Sequence, residues 1–121
     1  MPAQAQHIVV IIHAAAHGSE RCLSGLRVAN TLAAREDMAS VRVFLMSDAT
    51  VAALPHQQDG AGNGLQALVE ELVAAGATLR LCRTCALARG LADLPLIDGV
   101  AIGTLPELGE WIAAADKVIT F

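Results

Sequence analysis

A chain of 121 residues that is 55% hydrophobic, 2% aromatic and −4 in net charge reads as one domain, 1–121, able to bury roughly two-thirds of the surface its unfolded form exposes. The acidic balance supplies no basic stripe for phosphates, which excludes a nucleic-acid partner. No apolar run reaches bilayer-spanning length, which excludes a membrane helix. The apolar mass is Ala, Val, Leu and Ile, with a mean hydropathy of +0.52. Such a composition suits a parallel sheet covered on both faces, with more apolar surface buried between subunits. Residues 1–6 lack the positive segment of a secretory signal. Three cysteines are few and odd in number for a disulfide-built domain. The reading is a cytoplasmic protein with free thiols, where a Cys-x-x-Cys pair means redox, sulfur or metal chemistry.

In chain order, residues 7–13 (His-Ile-Val-Val-Ile-Ile-His) are a continuous β-branched run, the mark of a doubly buried central strand. A small-residue loop, Ala14 to Gly18, follows it. Ser19 and Glu20 suit the start of a helix, which runs to about Arg35 with Cys22, Leu26, Ala29 and Ala33 on one face. Residues 41–46 are a second strand. Ser47 and Asp48 offer capping oxygens for a short helix, 49–54, that Pro55 ends. The segment 56–64 is polar and glycine-dense and is expected as a mobile surface loop. Leu65, Leu68, Val69 and Leu72 mark an amphipathic helix stopped by Gly76. Residues 78–82 are a third strand ending in Cys82, followed by about one helical turn and Gly90. Residues 97–102 are a fourth strand. Thr104-Leu105-Pro106-Glu107 is a capping box with an early proline, and its helix aligns Leu105, Leu108, Ile112 and Ala115. Residues 117–121 are a fifth strand. There is no internal repeat.

Strands alternating with helical patterns of this length give βαβ units: an α/β fold with three layers, α/β/α, around a five-stranded, mostly parallel sheet. Ligands and reactive groups in such folds gather beyond the carboxyl ends of the strands. Four loops should therefore converge, 13–18, 47–48, 82–85 and 103–104.

Chemistry concentrates in Leu79-Arg80-Leu81-Cys82-Arg83-Thr84-Cys85-Ala86-Leu87-Ala88-Arg89-Gly90-Leu91. It holds two of the three cysteines and three of the eight basic residues, and no acid occurs between Glu71 and Asp93. A thiol leaving a strand into a helix N-terminus meets unpaired amides and the positive dipole end, which favour thiolate. Arg83 and Arg80 would add to this. Cys82 is thus the candidate nucleophile, with Cys85 at the spacing for a disulfide or sulfur exchange. His13, His17, Asp48 and Arg83 complete a candidate binding set. The plainer readings are a hydrogen-bonded strand-end residue for His13 and a helix cap for Asp48. Cys22 reads as a core thiol. The glycine-rich Gly60-Ala61-Gly62-Asn63-Gly64 lacks the strand before it and the Gly-Lys-Ser/Thr ending of a phosphate loop. A lone Cys-x-x-Cys is half a zinc site. His13 and His17 would have to supply the rest, and there is no second closed pair, so neither a metal nor a cofactor is assigned.

The run from Leu81 to Leu91, the run Gly103-Thr104-Leu105-Pro106-Glu107-Leu108-Gly109-Glu110-Trp111 leading into Ala115-Asp116-Lys117-Val118-Ile119-Thr120-Phe121, and Phe44-Leu45-Met46-Ser47-Asp48-Ala49 resemble the DsrE/DsrF-like family, including its small single-domain YchN-like branch. The resemblance spans nearly the whole chain. It implies a flavodoxin-related α/β/α fold and assembly into homo-trimers or hexamers. In sulfur-relay members a cysteine in the Cys82 position carries sulfur as a persulfide and passes it between protein partners. Cys85 is a departure, standing where relay members have a non-thiol. The resemblance therefore implies a cytoplasmic sulfur carrier or sulfurtransferase-like persulfide relay. The alternative is a non-catalytic oligomeric binding module whose cysteine pair holds zinc or a reversible disulfide.

Overall fold

The computed structural model describes residues 5–58 and 64–121. The chain runs β1 (Gln6–Ile12), α1 (Arg21–Ala33), β2 (Met38–Leu45), a 3-10 helix (Ser47–Ala53), α2 (Leu65–Ala74), β3 (Thr78–Cys82), α3 (Arg83–Ala88), β4 (Val100–Gly103), α4 (Leu105–Ala114) and β5 (Lys117–Thr120). The five strands form one sheet in the order β4-β3-β2-β1-β5, and every pairing is parallel. The α/β expectation of a five-stranded sheet holds. Of the expected surface loop 56–64, residues 59–63 lie outside the described residues, and Gln58 and Gly64 beside them form an antiparallel bridge.

Strand alternation sorts the side chains into two cores. Ile8, Val10 and Ile12 of β1, Val41, Val43 and Leu45 of β2, and Leu79 and Leu81 of β3 face one way, where α1, α2 and the 3-10 helix add Cys22, Leu26, Ala29, Ala49, Ala52, Leu65, Val69 and Leu72. The other face gathers a smaller cluster: Val9, Ile11, Phe44, Cys82, Leu108 and Trp111, with Met46, Cys85 and Ala115 against it. Among the described residues, α4 lies over this second face, with Cys85 of α3 at its edge. Positions Arg42 and Arg80 of this face are polar and half-buried, so the continuous apolar core lies on the other side.

Register sets the strand ends level. Ile12 pairs with Leu45, Leu45 with Leu81, and Cys82 with Gly103, while Met46 N–H donates to the Ile12 carbonyl at 2.9 Å. The carboxyl ends of β1 to β4 are therefore neighbours along one edge, as the topology requires.

Three sequence expectations need correction. Helix α1 is shorter than 19–35, and no side chain caps it; Ser19 Oγ only accepts from Arg21 N–H at 3.4 Å. Strand β4 begins at Val100, not at 97, because Ile97 to Val100 is a turn closed by Val100 N–H to the Ile97 carbonyl. Gly99 supplies its φ of +90°, a region that L side chains rarely enter. Ile97 is apolar because it is buried in the larger core, not because it is in a strand. Helix α4 turns Leu108 and Trp111 inward, leaving Leu105 52% and Ile112 41% exposed. Trp111 wins that contest: its ring meets Phe44 edge-on at 5.9 Å and lies under the Arg42 guanidinium at 5.5 Å. The capping box at its start is half formed. Thr104 Oγ1 accepts from Glu107 N–H, whereas the Glu107 carboxylate faces Arg80 at 3.7 Å.

Candidate active site

Cys82 is both the last residue of β3 and the N-cap of α3, with extended φ and ψ of −60° and 122°. Alternation from buried Leu81 sends its side chain toward the smaller core. A helix start leaves its first amides unpartnered, and the Cys82 sulfur stands where a capping oxygen would. It makes no capping hydrogen bond of regular geometry, yet the N–H groups of Cys85 and Thr84 act on it, and Thr84 Oγ1 lies 3.7 Å from the sulfur. Burial pushes the Cys82 thiol up. The Cys85 N–H, the Cys85 thiol, and the Thr84 hydroxyl and N–H outweigh it, so the thiol titrates below its ordinary value.

Cys85 titrates the other way. Burial raises it, the Ser47 N–H lowers it, the bond to Cys82 and the charge on Cys82 raise it, and the Arg89 charge lowers it; the balance is upward. The two thiols lie within hydrogen-bond reach of each other and both are free. As pH rises, Cys82 therefore gives up its proton before Cys85 does. Cys82 is only 2% exposed, and Cys85 is half-buried. The third cysteine, Cys22, is fully buried in the core on the far face, where burial pushes its thiol up to about 11. It is the core residue its helix face suggested.

Helix α3 is only six residues long and is held at its far end. Gly90, at φ +68°, lets Leu91 N–H reach the Ala86 carbonyl and its own N–H reach the Leu87 carbonyl, a Schellman stop. Arg89 then ties the helix to the 3-10 helix. Its Nε donates to Asp48 Oδ1 at 2.7 Å and its Nη1 to the Cys85 carbonyl at 3.2 Å. Asp48 thus stands at the site, but as the acceptor of Arg89 and not as a side-chain cap. Arg89 is the residue that sequence reasoning left unassigned. Its signal was available in the spacing, one helical turn beyond Cys85 and next to the stop glycine.

Arg83, the expected cation, is exposed and lines a groove of about 370 Å³ with Thr84, Leu87, Thr104, Leu105 and Pro106. Among the described residues it bonds neither thiol. Arg80 faces Glu107 instead. Opposite Cys82, Gly103 lets the first turn of α4 close down: a Cβ there would stand 2.6 Å from Glu107 Oε1 and 2.9 Å from Arg80 Cβ.

His13 continues the β1–β5 ladder, its N–H donating to the Phe121 carbonyl at 2.8 Å, and its side chain and that of His17 are exposed. The end of β1 lies two strands from Cys82, roughly 10 Å at the usual strand spacing. Among the described residues neither histidine bonds a thiol. Nor do any three His, Cys, Asp or Glu side chains gather where they could hold a metal ion. The four-ligand combination of His13, His17, Cys82 and Cys85 is therefore not assembled. No helix among the described residues is long and apolar enough to cross a membrane.

The model of the DsrE/DsrF-like family matches residues 6–121. Protein YchN of Escherichia coli K12 is 47% identical over 116 residues, covering 96% of this chain and 99% of the relative. An uncharacterized protein of Methanopyrus kandleri is 35% identical over 115 residues, covering 94% and 93%. The crystal structure of the E. coli YchN protein superposes with a TM-score of 0.89 at 46% identity, over 96% of this chain and 99% of that one. A conserved protein of unknown function from Bacteroides thetaiotaomicron shares the fold, with a TM-score of 0.67 at 15% identity over 95% of both chains.

Proposed function

We propose that this chain, which belongs to the DsrE/DsrF-like family, is a carrier of sulfane sulfur, a persulfide relay that loads on Cys82. The family is associated with sulfur relay in general. The observation that carries the finer reading is the placement of Cys82: a strand-end thiol facing the first amides of a helix, its charge favoured by Thr84 and Cys85. In the loading step the Cys82 thiolate attacks the outer sulfur of a donor persulfide or polysulfide. A bond forms to that sulfur, the donor's S–S bond breaks, and the donor leaves as a thiolate. Cys85 assists through its thiol and amide, which favour the charged form of Cys82.

The acceptor is a protein in this reading, the donor is a protein persulfide or a small polysulfide, and the compartment is the cytoplasm, where thiols stay reduced. A homo-trimer or hexamer is supported by the apolar side chains left in solvent on the α3 and α4 side, Leu87, Leu105 and Ile112. The test is mass spectrometry after incubation with polysulfide. A gain of one sulfur atom on the Cys82 peptide, lost in Cys82→Ser, is expected. Equal mass gain in wild type and Cys82→Ser would sink the reading. The contact between the two thiols also favours a second reading, a non-catalytic module whose reversible disulfide sets assembly. It predicts a disulfide-dependent change in sedimentation with no sulfur uptake.

A further inference from the structure

We propose that Cys85 is the exit thiol of this site: sulfur loaded on Cys82 moves to Cys85 before any protein acceptor takes it. This rests on the reading of Cys82 as the sulfur-bearing residue. The argument begins with access. Cys82 is 2% exposed, which suits loading from a small polysulfide anion, whereas delivery to a cysteine carried on another protein, whose sulfur must line up with the S–S axis of a persulfide, is easier from a more exposed thiol. Cys85 sits three residues on, the spacing that makes helix neighbours, and is only half-buried. It touches Cys82 on one side and the surface on the other.

The step balances without any co-reactant. Once Cys82 carries sulfur, the thiolate charge that helped hold the proton on Cys85 is gone; Cys85 gives that proton to water, and its thiolate attacks the outer sulfur of the Cys82 persulfide. A bond forms between Cys85 Sγ and that sulfur as the bond from it to Cys82 Sγ breaks, and the electron pair stays on Cys82 as thiolate. One thiolate is consumed and one is formed, the transferred sulfur keeps its hydrogen, and nothing is oxidised or reduced overall. The direction follows from the environment: Cys82 is the better leaving group because the Cys85 amide and thiol and Thr84 favour its charge, whereas burial disfavours charge on Cys85 and makes it the poorer leaving group. The Arg89 bonds to Asp48 and to the Cys85 carbonyl fix the turn that presents Cys85.

The experiment loads wild type, Cys85→Ser and Cys85→Ala with polysulfide, removes the excess, and follows delivery to two acceptors. One is cyanide, which takes sulfane sulfur as thiocyanate; the other is a folded protein with a single surface cysteine. Both variants should load one sulfur on Cys82, more slowly than wild type because the Cys85 thiol that favours the Cys82 thiolate is gone; once equally loaded, their delivery to the protein thiol should fall at least tenfold further below wild type than their delivery to cyanide. Delivery to the protein thiol at the wild-type rate would overturn the exit role and leave the carrier reading standing. Failure of either variant to load would also overturn the proposed order. In loaded wild type, release of sulfide with a Cys82–Cys85 disulfide would show attack on the inner sulfur and overturn it as well. Failure of wild type itself to load would instead strike at the carrier reading.

Discussion

The two faces of the sheet obey different rules. Under α1 and α2 the strands present an apolar surface broken only at its rim by Gln6 and Lys117, and Ile8, Val10, Ile12, Val43, Leu45, Leu79 and Leu81 are all nearly or fully buried. Under α4 the same strands present Val9 and Ile11 beside Arg42, Arg80 and the Cys82 sulfur. One helix cannot cover five strands, so the second face keeps charge and a reactive group near water. The contrast shows most clearly in two cysteines of one chain. Cys22, sealed in the first core, has a thiol pushed up to about 11 by burial alone. Cys82, nearly as hidden, is pulled down because amides and a hydroxyl face it. Burial by itself does not decide a thiol's reactivity; the polar groups that share the burial do.

The sharpest way to separate the faces is to damage the first one. Leu26→Ala in α1 removes a fully buried side chain and should cost about 2–5 kcal/mol in chemical denaturation, while the alkylation rate of Cys82 in the folded protein stays unchanged. A loss below about 1 kcal/mol would show that the α1 face is not the principal core.

The thiols themselves give the next largest effect, through pH. The Cys22 pKa is raised in the folded state, so its stabilising contribution is fully present below the ordinary value of 9.0 and is lost as pH rises from there to about 11. Wild type should therefore lose stability over that window more steeply than Cys22→Ala, by on the order of 2 kcal/mol. Cys82 has the opposite sign. Its lowered pKa contributes stability above the ordinary thiol range, which is lost as pH falls through the folded value. Folded protein should be alkylated at Cys82 with a pH profile below that of an ordinary thiol, and at Cys22 only after unfolding. Parallel pH–rate curves for the two would erase the distinction drawn between the faces.

Much of this was legible in the sequence, and the gaps follow a pattern. β1 and β3 were read from residues buried on both sides or ending in a thiol, and the Schellman stop after α3 from Gly90. Their causes are local. The inward face of α4 was misread because spacing alone favours Leu105, Leu108 and Ile112, whereas Trp111 is selected by Phe44 and Arg42 on a strand far away in sequence. Arg89 was missed for the same reason, since its partner Asp48 lies 41 residues earlier and meets it only when the 3-10 helix packs on α3. Arg83 looked the better cation because it adjoins Cys82 in the chain, but a helix start turns it outward to solvent.

The smallest effect tests that last point. The Arg89–Asp48 pair is partly exposed, so breaking it should cost no more than about 1 kcal/mol. Its signature is chemical. Arg89 charge lowers the Cys85 thiol, so Arg89→Gln should shift the pH profile of Cys85 alkylation upward, and Arg89→Lys should restore it in part by returning the charge without the paired donors. Arg83→Gln should leave the profile where it was. If Arg83→Gln moves it and Arg89→Gln does not, the cation that matters is the one next to Cys82 in sequence, and the packing of α3 on the 3-10 helix has no bearing on the thiols.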